Sequence, residues 1–172
     1  MAKDGFLKRH GIVRNAIKKD MLYFALPWII VLFAGFGVCA NHLVTEHGSL
    51  YILTIQSSAG LALVVIGYAF IIAAHITLWR LYSSTLVIKE DHKLITYGIY
   101  RFTRHPIYLG VITVCIGFAV YASSLYGFLI MSANIPVFLI RIRLEEKLLT
   151  EEFQDAYQKY KKTTKKLIPF IY

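Results

Sequence analysis

Three long uncharged stretches alternate with polar, basic ones along this chain of 172 residues. Residues 21–40, "MLYFALPWIIVLFAGFGVCA", carry no charge over 20 positions, the length one membrane-spanning helix needs. Pro27 predicts a kink near the start of that helix. Residues 50–79 are also free of formal charge; at about 1.5 Å per residue they outrun a bilayer core and predict a tilted or extended helix. Within them Gly60 and Gly67 offer a neighbouring helix a close approach. Residues 107–140 are too long for one span and short for two. "YASSLYG", residues 121–127, predicts a turn, so the block reads as a hairpin of 107–122 and 126–141, with Pro136 bending the second leg.

The polar stretches have a helical period of their own. In residues 1–20, Phe6, Leu7, Ile12, Val13 and Ile17 share one side and Lys and Arg the other, as in a helix lying on a membrane surface. In residues 142–172, Leu148, Leu149, Phe153, Tyr157 and Tyr160 recur at near-helical spacing, so a cytosolic amphipathic helix with an aromatic stripe is expected, followed by a tail. The fold class is an all-α integral membrane protein of a single domain. It has about four transmembrane helices (21–40, 50–79, 107–122, 126–141) and a cytosolic segment at 80–106.

Composition supports this. The chain is 57% hydrophobic and 17% charged, where soluble domains run near 45–50% and about 25%. The net charge of +9 would suit nucleic acid, but its distribution argues otherwise. Six Lys or Arg fall in 1–20, five in 80–106 and eight in 141–172, which is all 19; loop 41–49 and the hairpin turn hold none. Four spans put every one of them on the same side. The positive-inside rule makes that side cytoplasmic, with both termini there and the inner membrane as the location. The basic charge is therefore topological, with membrane lipids rather than nucleic acid as its partner. Cys39 and Cys115 have no ligand-type neighbours at metal spacing, so they read as packing residues and no metal is expected. No cleavable signal pattern is present at the N-terminus.

The hairpin brings 80–106 and 141–172 together, which sets Arg101, Arg104 and His105 opposite Arg141, Arg143, Glu145 and Glu146. Arg141 and Glu145 are neighbours on one helix face. Ionisable groups gathered at a membrane boundary suggest a site; the plainer alternative is side chains snorkelling to headgroups, and Arg101 and Arg143 fit it. Tyr100 and Tyr108 would likewise suit an interfacial aromatic belt.

The order of residue types favours the site. "GIYRFTRHPIYLG", residues 98–110, resembles the Arg-His-Pro-x-Tyr signature of the isoprenylcysteine carboxyl methyltransferases, within a broader family that includes phospholipid N-methyltransferases. Arg141, the pair Glu145–Glu146, Phe153, Tyr157, Tyr160 and "IPFIY" resemble its second half. Ile99 stands where many members have proline, and Gln154 where a glycine often follows the phenylalanine. The resemblance covers about residues 85–172. It implies S-adenosylmethionine bound at the cytosolic face of a helical bundle, with S-adenosylhomocysteine as product. It assigns the cofactor to His92, Lys93, Leu94, Ile95, Tyr100, His105, Pro106, Ile107 and Tyr108, with Glu145 or Glu146 as the cofactor-side carboxylate. Arg141 is then the substrate-side arginine, and catalysis falls to Arg141, Glu145 and Glu146.

The chemistry of these side chains agrees. His105 and Arg104 suit a carboxylate, Glu145 or Glu146 an amine or ribose, and Tyr100 and Tyr108 an aromatic base or a sulfonium charge. Pro106 in a first helical turn leaves N–H groups for an anion. The expected activity is methyl transfer to a lipophilic or lipidated acceptor, with carboxyl O-methylation favoured. The alternatives are a phospholipid or amine N-methyltransferase and a non-enzymatic membrane carrier or assembly protein. A carrier would place polar groups in mid-membrane, and these spans are almost purely apolar.

Overall fold

The computed structural model describes residues 25–47, 54–78, 94–169 and 171. The expected surface helix at 1–20 lies outside the described residues, as do His92 and Lys93. Among the described residues five α-helices follow one another: α1 (Leu26–His47), α2 (Ile55–Leu78), α3 (Pro106–Tyr121), α4 (Leu125–Ser132) and α5 (Asn134–Thr163). A 3₁₀ turn, Gly98–Arg101, precedes α3.

Helices α2 and α3 pack side by side along their length. The buried face of α2 is Ser57, Gly60, Gly67 and Ala74, all small, while Leu61, Val65, Ile66, Tyr68, Ile72 and Ile76 are exposed. Lipid is as apolar as a leucine, so large side chains gain little by turning inward. Close backbone approach gains dispersion contacts instead. The approach is reciprocal: a Cβ on Gly67 would lie 2.7 Å from the Gly110 carbonyl oxygen, and one on Gly110 2.7 Å from that of Gly67. About two turns further along, a Cβ on Gly117 would lie 2.9 Å from the Gly60 oxygen.

Helix α1 runs antiparallel to α4 and the start of α5. Trp28 packs on Phe138 with ring centroids 6.0 Å apart, Gly35 lies against Met131, and Cys39 against Gly127. Cys39, Cys115, Ala119, Ala122 and Met131 form the buried cluster where α1, α3 and α4 meet.

Three boundaries differ from the sequence expectation. Helix α1 does not stop at residue 40 but continues to His47. Its polar last turns are sustained internally, the Thr45 hydroxyl donating to the Asn41 carbonyl at 3.0 Å. The expected leg 126–141 is two helices, broken at Ala133. Pro136 is the third residue of α5, a first-turn position where its missing N–H is tolerated. Finally, α5 runs on from the apolar leg into the polar region without a loop. Leu26–Thr45, Ile55–Leu78 and the α4–α5 stretch are long and apolar enough to cross a bilayer. Helix α3, with 16 residues, spans about 24 Å. The turn expected at 121–127 is present: Ser124 caps α4, its hydroxyl accepting from the Gly127 N–H at 3.1 Å.

The membrane-compatible part of α5 ends at Ile140; charged residues follow from Arg141. Near its far end Gln154 breaks the helix, with φ 43° and ψ −119°. A non-glycine residue there is strained by roughly 1–3 kcal/mol. The last turns of α5 set off in a new direction from this point.

Candidate functional site

The Arg-His-Pro segment is held from both sides. Gly98 has φ 62° and sits where a Cβ would lie 2.7 Å from the Thr77 hydroxyl, so the 3₁₀ turn is pressed against the end of α2. Pro106 opens α3, and no side chain caps that helix. On the other side, the tail after α5 docks along residues 103–104. The fully buried Thr103 donates its hydroxyl to the Leu167 carbonyl at 2.7 Å. The Arg104 N–H donates to the Lys165 carbonyl at 2.9 Å. Tyr160 donates to the Tyr100 carbonyl at 2.6 Å.

Glu146 is the hub beneath this segment. Its Oε1 accepts from Arg104 Nε at 2.8 Å and lies 2.8 Å from Arg104 Nη2 and 3.5 Å from His105 Nε2. Its Oε2 is 3.7 Å from Lys166 Nζ. Burial alone would raise the carboxyl pKa. The hydrogen bonds from His105 and Arg104, with their charges, outweigh it and hold the pKa down at about 2. Arg104 has little left to give: its Nη1 donates to the Thr164 and Lys161 carbonyls. The sequence reading offered Arg104 to a cofactor carboxylate; its donors are engaged by Glu146 and by backbone some sixty residues further along the chain.

Glu145 points elsewhere. Arg141 Nε donates to the Tyr108 hydroxyl at 2.8 Å, and that hydroxyl donates to Glu145 Oε2 at 3.0 Å. The expected Arg141–Glu145 neighbour pair is thus joined through a tyrosine from another helix. Tyr108 in turn packs against His105, 5.8 Å between ring centroids, and Phe138, 5.5 Å. Its hydroxyl holds the arginine–glutamate chain together.

An open cleft has Glu145, one end of this chain, in its wall. Leu78, Leu94, Ile95, Tyr100 and Arg104 line one side; Glu145, Leu149, Phe153, Tyr157 and Tyr160 line the other. Of the sequence candidates, Leu94, Ile95, Tyr100, Arg104 and Glu145 border it. His105, Pro106, Ile107, Tyr108, Arg141 and Glu146 do not line it; His105 is buried, its Nδ1 3.9 Å from Glu145 Oε2. Phe153, Tyr157 and Tyr160 were read as a stripe that packs on something and not as site residues. That same stripe, at near-helical spacing on a charged helix, was the signal that it faces a cleft.

Comparison with known proteins identifies the family and the fold. The family model for isoprenylcysteine carboxyl methyltransferases matches residues 60–151. The protein-S-isoprenylcysteine O-methyltransferase of Schizosaccharomyces pombe is 28% identical over 70% of this chain and 52% of its own length. That of Saccharomyces cerevisiae is 36% identical over 65% of this chain and 48% of its own length. The chain thus spans about half the length of these curated relatives. A solved structure of a eukaryotic intramembrane Ras methyltransferase, an isoprenylcysteine carboxyl methyltransferase, shares the fold with a TM-score of 0.72, at 24% identity over 84% of this chain and 53% of that one. With more than half of its residues matched by the family model, the chain belongs to the isoprenylcysteine carboxyl methyltransferase family.

Proposed function

We propose that this protein is an S-adenosylmethionine-dependent methyltransferase that methylates a carboxylate on a lipophilic acceptor, such as a prenylated cysteine, at the cytosolic face of its membrane. The observation that carries this is the Arg141–Tyr108–Glu145 chain beside an aromatic cleft. The donor set fits the cofactor. Glu145 is a carboxylate at the cleft wall, 34% exposed in its side chain. Tyr100 and Phe153 supply aromatic surface. The buried Tyr157 hydroxyl lacks a hydrogen-bond partner among the described residues, and buried His105 Nε2 faces Glu146 Oε1 at 3.5 Å.

When bound, S-adenosylmethionine supplies a methyl group on a positively charged sulfur. Glu145 takes up its amino group, and Leu94, Ile95, Tyr100 and Phe153 hold its apolar and aromatic parts. Arg141 orients the acceptor carboxylate; a guanidinium matches that group in geometry and charge. Tyr108, bonded to Arg141 Nε, fixes the plane of the guanidinium. A carboxylate is already the nucleophile, so no base is required and positioning supplies the rate. An amine acceptor would have to lose a proton, for which Glu145 is the nearest candidate. The lysines and arginines at 80–106 and 141–172 support cytoplasmic termini, and in a prokaryotic cell the inner membrane.

The test is labelled-methyl transfer in detergent with lipid, offered a farnesylated cysteine with a free carboxyl, a phosphatidylethanolamine and a thiol in parallel. Transfer to the carboxylate alone is expected. Arg141→Lys should lower it about a hundredfold with cofactor affinity retained, since only acceptor orientation is lost. Transfer to the amine or the thiol instead, or an Arg141→Lys protein as active as wild type, would overturn the reading.

A further inference from the structure

Tyr157 is 1% exposed and lines the cleft, yet its hydroxyl has no hydrogen-bond partner among the described residues. Its neighbour on the same stretch of helix behaves differently: the Tyr160 hydroxyl is bonded to the Tyr100 carbonyl at 2.6 Å. A buried hydroxyl without a partner destabilises the fold that holds it. Tyr157 is nonetheless held in place. The backbone break at Gln154 redirects this part of α5, and Tyr157 borders the cleft. Tyr160 anchors it, and Lys161 Nζ lies over the Tyr157 ring, 5.7 Å from the centroid.

Among the described residues, the charged groups of the cleft wall also offer no spare donor. Arg104, the cation at its wall, has Nε, Nη1 and Nη2 engaged by Glu146 and by the Lys161 and Thr164 carbonyls. Glu145 is an acceptor. A ligand with an amino-acid head brings a carboxylate, and that carboxylate needs a donor which the charged residues of the wall do not supply.

We propose that Tyr157 is that donor: its hydroxyl bonds the carboxylate of the methyl donor, and so positions the amino-acid head that Glu145 holds at the amine. The proposal rests on the cofactor reading above. Burial, and then the Glu146 charge, raise the Tyr157 pKa, so the hydroxyl keeps its proton at neutral pH and stays a donor.

The experiment is Tyr157→Phe, read two ways on the full chain in detergent. The first readout is the melting temperature without ligand. Removing a buried hydroxyl that bonds to nothing should leave it unchanged or raise it, whereas a hydroxyl already bonded within the protein would lower it. The second is calorimetric affinity for S-adenosylhomocysteine and for its decarboxylated analogue. The variant should lose about tenfold for the first and bind the second as wild type does. A lowered melting temperature, an unchanged affinity for S-adenosylhomocysteine, or an equal loss for both ligands would overturn the proposal. Wild-type protein that binds neither would overturn the cofactor reading with it; wild-type binding with an indifferent variant removes Tyr157 alone.

Discussion

The two halves of the molecule are held together by opposite means. In the apolar half, α2 and α3 meet through glycines, with Gly67 and Gly110 each pressed on the other's backbone and the large side chains outside. In the polar half, Arg104, His105, Lys166 and Glu146 interlock, and tyrosine hydroxyls reach backbone and carboxylate across long sequence separations. The solvent explains the difference. In lipid, burial of apolar area drives nothing, so shape and close approach decide. At the aqueous face, a buried charge survives only with its partners in place, so chemistry decides. The first arrangement tolerates almost any apolar residue on its outside. The second tolerates little, and it is the half that borders the cleft.

The sharpest way to break the polar half is Glu146→Ala. It leaves Arg104 buried and unpaired, and should destabilise the protein by about 3–5 kcal/mol in a denaturant titration. Glu146→Gln checks the charge itself through pH. Folding lowers the Glu146 pKa from about 4.5 to about 2, so its contribution is complete above pH 4.5 and fades as pH falls toward 2. The stability gap between wild type and Glu146→Gln should close over that window. A gap that is constant with pH would mean the carboxylate charge contributes nothing.

The apolar half breaks at Gly67→Ala. The new Cβ would meet the Gly110 carbonyl oxygen at 2.7 Å, and the helices must part at roughly 1–3 kcal/mol. Gly37 on α1 is the control, because a Cβ there meets nothing within 4 Å. Gly37→Ala should be neutral or gain up to about 1 kcal/mol from helix propensity. Equal losses at both positions would show that close packing is not what matters.

The smallest effect expected is a gain. Gln154→Gly relieves the positive φ and should stabilise the fold by about 1 kcal/mol. A lower melting temperature would instead mean that the Gln154 side chain contributes more than its backbone strain removes.

Legibility followed the same division. The uncharged blocks announced their helices because about 20 apolar residues in a row have few other uses. Gly60 and Gly67 already marked the contact face of α2, although α2 is apolar all round and its period marks no face. The break at Ala133 was missed because Pro136 reads equally well as a mid-helix bend or as a first-turn residue. Arg104, Tyr108 and the glutamates were found as types, but their partners within the protein were not. Glu145 and Glu146 are adjacent, so they point in directions about 100° apart on a helix. Which one meets Arg104 and which meets Tyr108 depends on elements some forty residues away.

By itself the sequence determined that this is a helical membrane protein whose polar and basic stretches alternate with uncharged ones, with two motifs flanking a hairpin. Those properties are additive along the chain: hydropathy, charge and local turn chemistry accumulate residue by residue. Only the tertiary structure decided that the tail occupies Arg104, that Tyr108 joins Arg141 to Glu145, and that Tyr157 borders the cleft with its hydroxyl unbonded among the described residues. Hydrogen bonds depend on distance and angle to within a few tenths of an ångström. No pattern along one chain encodes which of several suitable partners, dozens of residues apart, will arrive at that distance.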